Sequence, residues 1–291
     1  MTRALEGRTA IITGASQGLG KAIATAYAIA GANLVLCARD AKLLSATADE
    51  VRAAAGDGKR VLALAADVTR DDDVRKVVGA ALERYGSLQV LVNNAGIYGP
   101  IGRVEETPWE AWAEAISVNL LGSVRFAREA MPHFRARSYG KIIQVSGGGA
   151  TKPLPRLSAY AAAKAAVVRF AETLAVEARE FNVDVNSIAP GSLNTRLLDE
   201  VLDAGPAAAG AEFFDSSQRQ REQGGTPLDV PARLAVFLAS AQSDGISGKL
   251  IAAVWDDWES FPQHLQDLRD SDVYTLRRIA ARDRGLDWGD K

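Results

Sequence analysis

The architecture of this chain follows from one short segment, Thr13-Gly14-Ala15-Ser16-Gln17-Gly18-Leu19-Gly20. An apolar run at 9–13 precedes it and a helical pattern at 19–30 follows it, which predicts a strand, a glycine-rich turn and a helix. Because glycine has no Cβ, the backbone N–H groups of such a turn can approach a pyrophosphate, and the helix N-terminus favours its charge. We therefore expect cofactor contacts from Gly14, Ser16, Gln17, Gly18, Leu19 and Gly20.

The rest of the chain repeats this alternation of strands and helices. Near-continuous apolar runs predict buried parallel strands at 9–13, 33–38, 60–66, 88–93, 141–146 and 183–189. Helical patterns separate them at 19–30, 41–55, 71–85, 108–133 and 159–180. This alternation predicts an α/β fold with a doubly wound parallel sheet, in which ligands bind at the carboxyl ends of the strands.

The C-terminal third of the chain is less regular. We expect an irregular helical stretch at 195–223, a helix at 227–240 and a last strand at 249–254. The remaining residues, 255–291, are polar and acidic and contain three of the five tryptophans. We predict a single domain over 1–254, with a C-terminal extension over 255–291 packed on the domain or at an oligomer interface.

Composition excludes several classes of protein. The net charge of −2 comes with no basic stripe, which argues against a nucleic-acid partner, and no apolar run is long enough to span a membrane. Cys37 is the single cysteine and the two histidines lie far apart, so we expect neither a disulfide nor a metal site. Together with the absence of a signal-peptide pattern, these features predict a cytoplasmic protein.

The end of the second predicted strand bears on the choice of dinucleotide. Ala38 stands where a protein that prefers NAD places an acid for the ribose hydroxyls, and Arg39 follows it. An arginine here accommodates the 2′-phosphate of NADP. Asp40 weakens this argument, although it also suits the N-cap of the next helix. The sequence favours NADP(H) over NAD(H), with a plain surface role for Arg39 as the alternative.

Four more segments follow the glycine turn in order: Asp67-Val68, Asn93-Asn94-Ala95-Gly96, Tyr160-Ala-Ala-Ala-Lys164 and Pro190-Gly191-Ser-Leu-Asn-Thr195. As a set, over about residues 7–254, they resemble the signatures of the classical short-chain dehydrogenase/reductase family, which has a Rossmann-like fold.

The resemblance implies roles at matching positions. Asp67 and Val68 would contact the adenine, and Asn93 to Gly96 would support the cofactor pocket, with Asn94, Ala95 and Gly96 touching the cofactor. Thr195 would touch the nicotinamide amide or the phosphates, and Pro190 and Gly191 also count among the cofactor contacts. Asn119, within Val118-Asn119-Leu120, matches an asparagine that holds a water in a proton relay. The family also implies a homodimer or homotetramer built on helices 108–133 and 159–180.

Tyr160 and Lys164 are the expected chemical centre. Four residues apart on a predicted helix, their side chains share one face. A nearby ammonium favours the phenolate and would lower the pKa of Tyr160, which suits proton transfer. By itself such a pair is common on ordinary helices, and the surrounding motifs are what favour catalysis. Both residues also count among the expected cofactor contacts.

One departure from the family pattern concerns the serine that hydrogen-bonds the substrate oxygen. Alignment from the strand and from Tyr160 puts that serine at Gly147, whereas Ser146 stands one residue early. On a strand, one residue reverses the direction of the side chain. Either the glycines at 147–149 redirect Ser146 into the site, or the substrate supplies a polar group, or catalysis is impaired. We expect the first, and count Ser146 with Tyr160, Lys164 and Asn119 as catalytic.

The sequence thus predicts an NADP(H)-dependent oxidoreductase that interconverts an alcohol and a carbonyl on a small polar substrate, such as a sugar, a cyclitol or a polyketide-like carbonyl. Two alternatives remain open: an isomerase that oxidises and reduces its substrate transiently, and a nucleotide-binding regulatory subunit with little catalysis. A net change in cofactor absorbance separates the first function from the other two.

Overall fold

One parallel sheet organises the molecule, for which a computed structural model describes residues 3–56 and 60–289. Its strands are β1 (Thr9–Thr13), β2 (Asn33–Ala38), β3 (Val61–Ala65), β4 (Val90–Asn93), β5 (Gly140–Val145), β6 (Val183–Ala189) and β7 (Leu250–Ala252). They pair in the order β3-β2-β1-β4-β5-β6-β7, every pair parallel. The chain switches direction across the sheet between β1 and β4, and such a switch point opens a crevice at the carboxyl ends of the strands. The predicted doubly wound, Rossmann-like fold is confirmed.

Helices cover both faces of the sheet. They are α1 (Gly18–Ile29), α2 (Ala41–Ala55), α3 (Asp71–Tyr85), α4 (Trp109–Ile116), α5 (Gly122–Arg137), α6 (Ser158–Ala178), α7 (Arg196–Ala209), α8 (Ala211–Gln223), α9 (Asp229–Ala239) and α10 (Leu265–Asp270). Successive β1 residues point to opposite faces, so Ile12 joins the core under α1, α2 and α9, while Ile11 joins the core under α3, α5 and α6. This two-sided burial explains why the strands are apolar throughout.

Two predicted helices are interrupted. The helix expected at 108–133 consists of α4 and α5 joined by a π-helical turn, Ser117–Leu121, and it continues to Arg137. The stretch expected at 195–223 forms α7 and α8, with positive φ angles of 73° at Gly205 and 83° at Gly210. Glycine adopts this conformation readily, so these two residues set the angle of the α7–α8 segment over the sheet.

The C-terminal segment packs on the sheet. Trp258, Phe261 and Leu268 are buried in the same core as α1 and α9. Beyond them the chain runs along the outer side of β7, where the Leu250 amide donates to the Tyr274 carbonyl at 2.7 Å. The segment therefore covers a sheet edge whose polar backbone groups would otherwise remain unpaired.

Candidate active site

A cleft of about 1320 Å³ opens at the carboxyl ends of the strands. All the residues expected to contact the cofactor line it, and so do Tyr160, Lys164 and Ser146. Asn119 does not line the cleft and is 1% exposed beneath it. Residues of the α7–α8 segment also line the cleft. The volume exceeds the roughly 300–1,000 Å³ of most ligand pockets, so the cleft has room for a dinucleotide together with a substrate.

The glycine turn is tightly packed against the end of β4. A Cβ on Gly14 would lie 2.7 Å from the Ala95 Cα, and one on Gly20 would lie 2.3 Å from the Gly14 carbonyl oxygen. The Asn94 side-chain amide donates to the carbonyl oxygens of Thr13 and Gly14, at 2.9 and 3.0 Å. Asn94 thus links the turn to β4, and its role in the cofactor site includes holding this loop in shape.

The first turn of α1 is suited to a pyrophosphate. Gln17, at the N-cap, makes no side-chain hydrogen bond to the helix, and the first turn contains no acidic residue. Its backbone N–H groups are therefore free to bind an anion, which the helix dipole also favours. Because these N–H groups are free and no acid lies beside them, the start of α1 fits the pyrophosphate of a dinucleotide.

The end of β2 provides a cation and keeps its acid occupied. The Asp40 carboxylate accepts from the Leu43 amide at 2.9 Å and caps α2, as predicted. Arg39 has an exposed side chain whose ion pair with Glu114 is long at 3.7 Å, and it forms no closer one with any residue of 3–56 or 60–289. Ala38 is buried and has no group for a ribose hydroxyl. The edge of the cleft thus carries an available guanidinium and no free carboxylate on β2.

Asp67, at the end of β3, is held ionised. Burial by itself would raise its pKa, but the amide and hydroxyl of Thr69 donate to the carboxylate at 2.9 and 2.8 Å. With the nearby charges of Arg39 and Arg70, these bonds lower the pKa of Asp67 overall. The carboxylate is therefore a fixed acceptor beside Arg39.

Tyr160 and Lys164 lie at the floor of the cleft on one face of α6. The Lys164 ammonium donates to the Val145 carbonyl at 2.7 Å and lies 5.5 Å from the centre of the Tyr160 ring. The Tyr160 hydroxyl has no hydrogen-bond partner among residues 3–56 and 60–289 and faces the cleft.

The electrostatics of this pair differ from the expectation. Burial and the neighbouring Tyr98 raise the pKa of Tyr160 well above its usual value, and Lys164 does not lower it. Burial lowers the pKa of Lys164 to about 8. Desolvation disfavours both charged forms here and outweighs the attraction between them. Without bound ligands, Tyr160 is a neutral phenol, poised to donate a proton.

Asn119 supports the cofactor loop from below. It lies in the π-helical turn, a distortion that is frequent at functional sites. Its amide donates to the carbonyls of Ile97 and Ala115, both at 2.8 Å, and its oxygen accepts from the Ile97 amide at 3.2 Å. These bonds fix the backbone after Gly96, beside Lys164.

The expectation that Ser146 is turned toward Tyr160 is not met. The Ser146 hydroxyl is 2% exposed and donates to the Lys164 backbone carbonyl at 3.5 Å. Instead, a Cβ on Gly147 would lie 2.6 Å from the Tyr160 hydroxyl oxygen. Alternation along the strand persists to its end, so position 147 faces the site and position 146 faces α6.

Tyr98 is a cleft residue that the sequence reasoning missed. Its ring packs edge-on against Tyr160, with centroids 4.7 Å apart and planes at 82°. Burial and the charge of Glu200, on α7, raise its pKa to about 12. The available signal was its position two residues after Asn93–Gly96, because segments that follow parallel strands meet at one edge of the sheet.

In the part of the chain that the structure describes, no group of three His, Cys, Asp or Glu residues could hold a metal ion. No helix within those residues is long and apolar enough to span a membrane. Burial and Asp73 raise the pKa of Cys37 to about 12, so its thiol is unreactive.

Comparisons with known proteins show the family to which this chain belongs. A family model described as short chain dehydrogenase matches residues 8–204. An L-fucose dehydrogenase of Oryctolagus cuniculus is 36% identical over 238 residues, which are 81% of this chain and 80% of that protein. A D-beta-hydroxybutyrate dehydrogenase of Cupriavidus necator is 33% identical over 262 residues, 87% of this chain and 96% of that protein.

A solved structure extends the agreement to three dimensions. The crystal structure of levodione reductase superposes with a TM-score of 0.79 at 26% identity, covering 89% of this chain and 99% of that chain. The family match spans more than half of the chain, and the same residues carry the glycine turn and the Tyr160–Lys164 pair. This chain therefore belongs to the short-chain dehydrogenase family and is an oxidoreductase that acts on alcohol or carbonyl groups with NAD(P).

Proposed function

We propose that this protein is an NADP(H)-dependent oxidoreductase that interconverts an alcohol and a carbonyl on a small polar substrate. The observation that carries the proposal is the unbonded Tyr160 hydroxyl at the floor of a cleft whose opposite end fits a pyrophosphate. A sugar, a cyclitol or a polyketide-like carbonyl has the polar groups that such a cleft can bind. The names of the relatives, an L-fucose dehydrogenase and a D-beta-hydroxybutyrate dehydrogenase, support small oxygenated substrates.

The cofactor would lie along the carboxyl edge of the sheet. The α1 turn would hold its pyrophosphate, Asp67 and Val68 its adenine, and Thr195 the nicotinamide end. When bound, the nicotinamide supplies or accepts the hydride. The preference for NADP(H) rests on Arg39, whose guanidinium is available for a 2′-phosphate while Asp40 is occupied as a helix cap.

The protein's own residues handle the proton. Tyr160, kept neutral by burial, donates its hydroxyl proton to the carbonyl oxygen during reduction and recovers it in the reverse direction. Lys164 is held by the Val145 carbonyl beside the Tyr160 ring, where it would also contact the cofactor. Asn119 positions the loop that borders both residues. For Ser146 we propose a positioning role, through its bond to the Lys164 carbonyl.

Assembly and location remain proposals as well. We propose a homodimer or homotetramer that uses the helices at 108–133 (α4 and α5) and 159–180 (α6), where Val176 is 67% exposed. We also propose a cytoplasmic location and a single domain over 1–254 that the 255–291 extension completes. Light scattering on the purified protein checks the assembly, and a monomer at micromolar concentration would contradict it.

The function is tested by mixing the purified protein with NADPH or NADP⁺ and a panel of carbonyls and alcohols, and by following the nicotinamide absorbance. The panel includes L-fucose, D-3-hydroxybutyrate, xylitol and a cyclic diketone. Tyr160→Phe serves as the control, because it removes the hydroxyl and keeps the ring against Tyr98. We expect net turnover in the wild type and a loss of about 10²–10⁴-fold in the variant, with NADPH binding unchanged. Absence of turnover on every compound, or an active variant, would contradict the proposal.

A further inference from the structure

The residues around Tyr160 leave one hydrogen-bonding position vacant in the protein's own sequence. Gly147 has no side chain where the family pattern expects a serine, and the Ser146 hydroxyl is committed to the Lys164 carbonyl. The end of β5 therefore places no free side-chain hydroxyl beside that of Tyr160. A substrate oxygen next to Tyr160 needs its second donor from another element.

Tyr98 is placed to be that donor. Its ring contacts the Tyr160 ring edge-on at 4.7 Å, and it lines the same cleft. Its hydroxyl, like that of Tyr160, makes no hydrogen bond to the described residues and is not fully enclosed. Two unbonded phenols thus stand side by side at the substrate end of the cleft. A ligand that enters the cleft can therefore accept a hydrogen bond from either hydroxyl without breaking a bond within the protein.

Tyr98 and Tyr160 reach the cleft from different elements of the fold. Tyr98 lies on the segment after β4, Tyr160 lies on α6, and Glu200 of α7 raises the pKa of the Tyr98 phenol. Burial keeps it neutral, and a neutral phenol can donate a hydrogen bond. From its own side of the shared cleft it is placed to meet a substrate oxygen other than the one that reacts at Tyr160.

We infer that Tyr98 determines substrate choice by donating a hydrogen bond to a second oxygen, on the carbon next to the one that reacts at Tyr160. The preferred class is then α-hydroxy ketones and vicinal diols rather than isolated ketones and alcohols. This inference rests on the proposed reaction and adds to it a substrate class and a residue that reads it. A site built to bond a hydroxyl discriminates against an analogue that lacks one, because its polar group is left unpaired.

The test uses two ketones, 2-hydroxycyclohexanone and 2-methylcyclohexanone, each reduced with NADPH. On the carbon next to the carbonyl the first carries a hydroxyl group and the second a methyl group of similar size. We expect the wild type to prefer the hydroxy ketone in kcat/KM. Tyr98→Phe, which keeps the ring packing, should lower kcat/KM for the hydroxy ketone about 3- to 10-fold, the range of one neutral hydrogen bond, and leave the methyl ketone unchanged. Tyr85→Phe is the matched control, since that hydroxyl bonds to the Leu34 carbonyl away from the cleft.

The possible outcomes separate the role of Tyr98 from the proposed reaction. An equal loss on both ketones, or no loss on either, in an active enzyme would overturn the role of Tyr98 while leaving the proposed reaction intact. A variant Tyr98→Leu that loses activity on both ketones, with Tyr98→Phe like the wild type, would assign Tyr98 to packing only and would likewise overturn it. A wild type that reduces neither ketone nor any compound of the wider panel would overturn the proposed reaction itself.

Discussion

Adding one methyl group at Gly147 should impair the chemistry without harming the cofactor site. In Gly147→Ala, the new Cβ would lie 2.6 Å from the Tyr160 hydroxyl oxygen, about 0.8 Å closer than the 3.4 Å of ordinary contact. The ring of Tyr160 is buried and packs on Tyr98. Relieving the close contact would therefore displace the Tyr160 hydroxyl from its place in the site. A misplacement of about 1 Å at a reacting group can reduce the rate roughly 10²-fold, so we expect kcat to fall about 10- to 100-fold. Overpacking should also reduce the free energy of unfolding by about 1–3 kcal/mol.

The assay is steady-state reduction of the fastest substrate of the panel, with NADPH binding measured by fluorescence titration. Gly148→Ala is the matched control, because a Cβ there meets no atom within 4 Å. We expect this control to keep wild-type kcat and both variants to keep wild-type NADPH affinity. If Gly147→Ala is as active as Gly148→Ala, the placement of the Tyr160 hydroxyl against position 147 is refuted. The same geometry predicts that Gly147→Ser, which would reintroduce the family serine, lowers activity instead of raising it.

Three more changes test other parts of the molecule. Arg39→Ala should weaken NADPH binding roughly 10- to 150-fold, which corresponds to about 1.5–3 kcal/mol for a bond to a charged group. NADH binding should stay nearly unchanged, and equal losses in titrations of both cofactors would contradict the role of Arg39. Burial lowers the pKa of Lys164 to about 8, so the free enzyme loses this ammonium as the pH rises through that value. We therefore expect kcat/KM for reduction to decline above about pH 8, and a level profile to about pH 10 would contradict this. Trp258 is buried against Phe237, so Trp258→Ala should reduce the free energy of unfolding by about 3–5 kcal/mol in denaturant titrations. Trp255 is exposed, so Trp255→Ala should change the free energy of unfolding by less than about 0.5 kcal/mol. Similar effects of the two substitutions would show that the C-terminal segment does not share the core.

The sheet was predictable because its determinants are local. Runs of apolar residues covered on both faces identify parallel strands, and every predicted strand is observed within two residues at either end. The glycine turn and the Asp40 cap of α2 also follow from residue type at a given place in the chain. No long-range contact needs to be known for any of these features.

The features that could not be predicted depend on contacts between distant segments. The π-helical turn at Ser117–Leu121 has no composition signal, and it serves to aim Asn119 at the backbone of Ile97. The C-terminal segment contained buried tryptophan and phenylalanine, yet the sequence did not tell whether they pack on the same chain or on another. In the structure Trp258 and Phe261 lie in the core shared with α9.

Two physical effects compete in setting the direction of the Ser146 side chain. Glycines at 147–149 make it easy to redirect the backbone, but the pleat of a strand that is paired on both sides fixes which residues share a face. β5 pairs with β4 and β6 up to its last residues, and the Ser146 amide still donates to the Ile188 carbonyl at 2.8 Å. The pleat therefore extends through position 146, and the glycines change direction only after it.

The ionisation of Tyr160 shows why spacing alone is a weak guide to electrostatics. Two residues four apart on a helix share a face, but spacing gives neither the distance between their charges nor their solvation. Here the Lys164 ammonium turns to the Val145 carbonyl, and burial raises the pKa of the phenol while lowering that of the lysine. The consequence concerns direction: the protein alone holds Tyr160 as a proton donor, the form that carbonyl reduction requires. Alcohol oxidation requires the phenolate, so it depends on positive charge that arrives with the oxidised cofactor, and it should be favoured at higher pH than reduction.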